Sequence, residues 1–456
     1  MADGSVGTIG NPGIGDPYYP TSGNGGYQID SYDLDLSYDP PTNALQSTAK
    51  LAGSVLSEDG LTQFDLDLQP SLTVSQVRVN DVPAGFRQHD AELVITPAAP
   101  LPAGSKLSIM VTYGGRPGLV PGGTVGQSDG GWYRTATGGA LAAGEPTGAS
   151  TWYPVNEHPA DTATFAVTAT VPSAWQVISN GVQQTSGLPT PAAGHSVFRW
   201  SLSQPVASYL TTIYIDNFAF DKGTLSDGKP VVSAIAQNAG ADARDLADST
   251  AGIIDELSKY FGPYPFDAAG GIFTGERIGF ALETATRPVY PGGVDKGTVV
   301  HELAHQWFGD DVSVQRWSDI CLNECFASYA PWLWAADTQS EDLNAVWKQQ
   351  MREVEKDPGF WSSPLVDMGP GKEFTRVYDR GPLALHALRN EIGDDAFFTL
   401  LRQWPLVYGG KNASFDDLET MVNKLAGRDV KPFMDAWFRG KTVPDEQYRH
   451  PGQLTY

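Results

Sequence analysis

The sequence predicts an α+β fold, in which a β-rich first half with the character of an antiparallel sandwich is followed by a mixed, mostly helical second half. Three observations carry that reading. Residues 29–219 contain short stretches in which apolar and polar residues alternate, the period of a half-buried strand. From about residue 220 the apolar residues recur at three- and four-residue steps, the period of a helix. Hydrophobic residues make up 41% of 456 positions, enough for two or three domains with a large core.

In chain order, residues 1–28 form a Gly/Pro-rich segment, expected to be irregular and to resemble the start of a mature exported protein. Strands are expected in YDLDLSYD (32–39), FDLDLQP (64–70), LTVSQVRVN (72–80), ELVITPA (92–98) and KLSIMVTYGG (106–115), punctuated by Pro, Gly and Asn turns. ATFAVTATVP (163–172), WQVISNG (175–181), SVFRWSLSQ (196–204) and YLTTIYIDNFAF (209–220) continue the pattern. A domain boundary follows at 219/220. KPVVSAIAQ (229–237) reads as a strand, ARDLADSTAGIIDELSKYF (243–261) as a helix, and GGIFTGERIGFALETATRPVY (270–290) as edge strands. Helices are then expected around 299–329, 341–356, 381–393, 395–404, 414–427 and 430–440, and residues 441–456 form a tail.

Composition narrows the function. Thirty Lys and Arg against 53 Asp and Glu give a net charge of −23 and no basic run, which makes nucleic acid and anionic membranes poor partners. No stretch approaches the eighteen apolar residues of a membrane span. A low-charge, turn-rich chain is of the kind often seen in exported bacterial proteins, with a cytoplasmic origin left open, and a monomer is the expectation.

The chemistry concentrates in VVHELAHQWFGDDVSVQRWSDICLNECFASY, residues 299–329. Residues four apart on a helix share a face, so His301 and His305 can aim both imidazoles at one ion with Glu302 alongside. Thr298 is the expected N-cap and Gly309 the stop. Glu324 follows His305 after eighteen residues, in a second helical pattern whose apolar neighbours would penalise an unpaired carboxylate. It is the expected third ligand, leaving a fourth position on one Zn2+ per chain for water. Asp310 and Asp319 could orient the histidines or equally stand as solvated helix-end carboxylates.

The two cysteines, Cys321 and Cys325, flank Glu324. Helical residues four apart have Cα atoms about 6 Å apart, within reach of a bridge but near its upper limit. A disulfide and two small buried thiols both remain open.

With these motifs in hand, the chain resembles the aminopeptidase N family, peptidase family M1, among the gluzincins. HELAHQWFG and LNECFASY are similar to the family's zinc motif, with Cys325 in place of a glycine. FALET resembles its GxMEN exopeptidase signature, with Ala281 and Glu283 as implied substrate contacts and Thr284 in place of the asparagine. GEPTGASTWYPVNEHPADTATF resembles an N-domain stretch that supplies a second substrate residue, here Glu145, and VYDRG resembles the YxKG that carries a catalytic tyrosine, here Tyr378. The resemblance implies a thermolysin-like catalytic domain at 220–440, Glu302 as general base, and peptides with a free N-terminus as substrates. The chain stops near residue 456, so a more open cleft than in longer members is expected. Two rivals accompany this reading: a zinc endopeptidase, or an enzyme with both activities, and an inactive peptide-binding fold.

Overall fold

A computed structural model describes residues 7–122 and 128–454. Met1–Val6 of the Gly/Pro-rich segment and the last two residues of the tail lie outside the described residues. The chain divides into two compact units, one comprising residues up to Asp248 together with Phe266–Gly293, the other Ser249–Pro265 together with Val294 onward.

In the first unit the largest sheet has eight strands in the spatial order Val182–Gln184, His195–Ala207, Thr162–Pro172, Tyr27–Asp39, Ala44–Val55, Lys106–Gly115, Leu72–Val79 and Val82–Pro83. Its neighbours pair antiparallel except for Tyr27–Asp39, which runs parallel to Thr162–Pro172. Purely antiparallel pairing was the expectation, and this one parallel pair departs from it. A register shift between Ile29 and Ser31 inserts one residue, so that the buried side chains change from Tyr27 and Ile29 to Tyr32, Leu34, Leu36 and Tyr38. Trp132, Trp152, Tyr153 and Phe165 form an aromatic cluster in the core, in which Trp152 meets Tyr153 and Phe165 edge to face and the other two pairs are tilted.

Three further sheets lie in this unit, two of them within the β-rich first half. The five-stranded one has the order Leu119–Val120, Gly130–Arg134, Ala140–Ala143, Ile213–Asp216, Gln176–Ser179. The four-stranded one contains Thr8–Ile9, which pairs in parallel with Leu61–Asp67. Residues 7–28 are therefore tied down at Thr8–Ile9 rather than irregular throughout.

The boundary at 219/220 is also displaced. Phe218–Thr224 pairs with Pro230–Ala236, which pairs in parallel with Ile272–Phe273, itself parallel to Val289–Tyr290. Arg287, fully buried, explains why the last of these segments returns to the first unit. Its guanidinium lies 4.7 Å from the Trp200 ring centre and donates to the carbonyls of Ser179 and Gly181 at 3.0 and 2.6 Å. Between Phe273 and Val289 the expected edge strand is absent; only Leu282 forms a bridge, to Val289.

The second unit is helical. It takes α1 (Ala243–Phe261) from Ser249 on, then α2 (Lys296–Ala304), α3 (Cys321–Gln339), α4 (Leu343–Val354), α5 (Pro358–Trp361), α6 (Arg380–Ile392), α7 (Asp394–Tyr408), α8 (Phe415–Ala426) and α9 (Lys431–Met434). Local chemistry sets the ends. Ser414 and Asp417 form a reciprocal capping box at the start of α8, and Gly427, at φ 66°, closes it in the left-handed region. Arg380 anchors the start of α6 by donating to the carbonyls of Ser363 and Trp437, both at 2.6 Å. Among the described residues no helix is long and apolar enough to cross a membrane.

Candidate active site

α2 is short, and its N-terminus is held by Asp295, whose side chain accepts from the Thr298 amide at 2.8 Å and hydroxyl at 2.9 Å. Thr298 was the expected cap. The helix begins three residues earlier than its apolar pattern suggests, so Thr298 lies in the first turn and donates instead of accepting. His305 closes the helix in helical geometry. Beyond it Gly309 adopts φ 129°, where an added side-chain carbon would lie 3.2 Å from the Asn323 amide and 3.3 Å from His305 Nδ1. Only glycine fits that corner.

The two imidazoles converge. His301 Nε2 lies 3.1 Å from His305 Nε2, and Glu324 Oε2, from the first turn of α3, lies 3.3 and 3.4 Å from them. A tetrahedral zinc site with bonds of 2.0–2.1 Å requires its ligand atoms to be separated by about 3.3–3.4 Å. Three donor atoms thus stand at the spacing of three tetrahedral corners. The tautomers agree, because His305 Nδ1 faces the Phe308 carbonyl at 3.0 Å and His301 Nδ1 faces Ser328 Oγ at 3.4 Å, turning both Nε2 lone pairs inward. Burial pushes the His301 pKa below its usual value, so its imidazole is neutral at pH 7 and free to ligate. The residues fit a zinc ion.

Around this triad, Glu302 is buried on α2, and its carboxylate belongs to a group with the two imidazoles whose donor atoms lie within 4.8 Å of one another. Tyr378 stands in the turn before α6, 40% exposed, with its hydroxyl 3.3 Å from Glu324 Oε1 and its ring 6.0 Å from that of His301. A reactive phenol must reach substrate, and this one is accessible. Cys321 and Cys325 are joined, with Cα atoms 4.7 Å apart.

Asp310 and Asp319 each have a partner away from the imidazole rings. Asp310 accepts from Gln306 Nε2 at 2.6 Å, while Asp319 sits beside the Phe415 amide with its carboxyl raised to about 6 by burial. His305 is oriented by the Phe308 carbonyl, and His301 by the Ser328 hydroxyl and the Ala327 backbone. Ser328 could have been found from the sequence, being one helical turn beyond Glu324 on the same face.

The expected substrate contacts lie in the first unit. Glu145 is 1% exposed, not a surface-loop residue, and precedes a cis proline, Pro146. Glu283 is also buried and accepts a hydrogen bond from the Tyr209 hydroxyl at 3.2 Å, a partner that no sequence signal marked. Ala281 is half-buried, and Thr284 directs its hydroxyl to the Arg287 carbonyl at 2.6 Å.

Residues 294–437 match the model of the peptidase family M1 domain, and residues 28–210 that of the peptidase M1 N-terminal domain. The chain belongs to peptidase family M1. It is 29% identical to an M1 zinc metallopeptidase from Deinococcus radiodurans, with a TM-score of 0.84 over 96% of this chain and 99% of that one. A variant of the metallopeptidase from that organism, solved with a Tyr-Ser-Ala substrate bound, is 30% identical at a TM-score of 0.85, covering 95% of this chain and 98% of the other. Aminopeptidase N of Streptomyces lividans is 27% identical over 323 residues, 62% of this chain. The chain spans 36% of that relative's length.

Proposed function

We propose that this M1 family member is a zinc aminopeptidase that removes N-terminal residues from peptides. The observation that carries the proposal is the tetrahedral spacing of His301 Nε2, His305 Nε2 and Glu324 Oε2. The names of its relatives, aminopeptidase N and a metallopeptidase solved with a tripeptide, support the substrate class. Zinc in that site supplies a Lewis acid that acidifies water and polarises a carbonyl.

The chain's own residues do the rest. Glu302, buried beside the two imidazoles, takes the proton from the attacking water and returns it to the leaving amine. The Tyr378 phenol donates a hydrogen bond to the oxyanion that develops on the scissile carbonyl, without a charge to desolvate. Glu145 and Glu283 offer carboxylates of the kind that hold a substrate ammonium through charge-assisted hydrogen bonds. The Cys321–Cys325 bond supports an oxidising compartment, in keeping with an exported protein.

The test compares free and N-acetylated peptides and measures metal content. One zinc per chain is expected, with cleavage confined to free-amine substrates. Glu302→Gln is expected to keep the zinc and to lose at least about 100-fold in kcat. Equal rates on blocked and free peptides would replace the exopeptidase reading with an endopeptidase one.

A further inference from the structure

We propose that the Cys321–Cys325 disulfide is a positioning element for the catalytic centre, setting both the Glu324 carboxylate and, through Gly381, the Tyr378 hydroxyl. The inference rests on the zinc peptidase reading and deepens it. Neither sulfur touches the reacting atoms.

The placement begins with the helix. Cys321 opens α3 and Cys325 follows one turn later, so the bond spans the turn that presents Glu324. In a regular helix, Cα atoms four residues apart lie about 6 Å from each other. Here they are 4.7 Å apart, so the turn carrying Glu324 is drawn in. Both cysteines are buried, at 1% and 0% exposure, which makes the bond part of the core under the site.

The second half of the argument is a contact. Gly381, in the first turn of α6, lies so close to α3 that a side-chain carbon added there would stand 2.8 Å from Cys325 Sγ and 3.0 Å from Cys325 Cα. Three residues before it, Tyr378 sits in a tight turn whose Arg376 carbonyl accepts from the amides of both Arg380, at 2.9 Å, and Gly381, at 3.3 Å. The two segments therefore meet twice, at Cys325 against Gly381 and at Glu324 Oε1 against the Tyr378 hydroxyl, 3.3 Å away. Adjacent residues on α3 register the metal-binding carboxylate and the phenol against one another. A cross-linked turn holds that register against fluctuation of an exposed tyrosine, and supporting groups of this kind control metal affinity and catalytic geometry.

The experiment compares the wild type with the double variant Cys321→Ala, Cys325→Ala and with Cys321→Ala alone, which cuts the bond yet keeps a sulfur against Gly381. If the double variant does not fold, the single variant carries the test. Zinc release to a colorimetric chelator is followed well below the unfolding temperature, beside kcat and KM. Release is expected to quicken about 10–100-fold in the variants, with kcat falling and KM little changed. Leu400→Ala, in the core of α7, serves as the control for lost stability alone and is expected to release zinc at the wild-type rate. Variants that release zinc no faster than the wild type, or no faster than Leu400→Ala, overturn the proposal. A wild-type protein that holds no zinc overturns it together with the function on which it rests.

Discussion

Asp161 in the first unit and Glu324 in the second are both withdrawn from solvent, at 3% and 2% exposure, yet their carboxyls are driven in opposite directions. Burial lifts Asp161 to about 7, and hydrogen bonds from the Asn156 side chain and the Ile29 amide only temper the rise. Burial acts on Glu324 in the same sense, but His305 and His301 outweigh it and hold the carboxyl below its usual range. That pull depends on positive charge among the three groups, while burial drives the His301 imidazole toward its neutral form. A metal ion supplies the missing charge. The contrast teaches that a buried carboxylate is informative by what converges on it, not by burial alone: one is a cost only partly offset by hydrogen bonds, the other is one of three ligands.

The comparison can be broken or sharpened at three carboxylates of decreasing consequence. Glu324→Ala is expected to have the largest effect, weakening zinc at least about 100-fold and abolishing activity, because two histidines alone hold the ion poorly. Metal analysis of the purified variant checks this, and full zinc occupancy would break the contrast at its root.

Asp161 comes next. Its folded-state pKa is raised, so its cost is absent below the unfolded value of about 4, grows as pH rises, and is complete above about 7. Asp161→Asn is expected to be more stable than the wild type at pH 8, by up to about 4 kcal/mol, and to differ little at acid pH. Urea denaturation at pH 4 and pH 8 reads the difference. An unchanged pH slope would mean that Asp161 is compensated after all.

Asp295, exposed at the start of α2, marks the lower end. Asp295→Ala is expected to cost about 1 kcal/mol through loss of the cap, with zinc content unchanged. Loss of zinc on that substitution would show that the short helix depends on its cap to keep His301 and His305 in line.

The sequence announced what is periodic or chemically rare. The helix at 243–261 and the strand at 106–115 coincide with their apolar patterns, and the expectation of a ligand triad rests on two spacings. The strand Ala44–Val55 was missed although it lies inside the large sheet, because its buried face is spelled Leu45, Ser47, Ala49, Leu51, Gly53 and Val55, half of them too small or polar to register as apolar. Glu145 looked like a loop residue among glycines and prolines, since nothing local records how deeply a segment without regular structure is covered. The return of Phe266–Gly293 to the first unit was hidden for a similar reason. It depends on Arg287 reaching carbonyls more than a hundred positions earlier, a distance no window of sequence spans.

That return has a consequence for anyone who would take the molecule apart. The chain passes from the first unit to the second, back, and out again, crossing between them at 248/249, 265/266 and 293/294. A single cut therefore cannot deliver both units as intact, continuous polypeptides. A chimaera that exchanged one unit for that of a relative would need three joints rather than one, and on the ribosome the parallel pairing of Pro230–Ala236 with Ile272–Phe273 must wait until the intervening stretch, part of which belongs to the other unit, has already emerged.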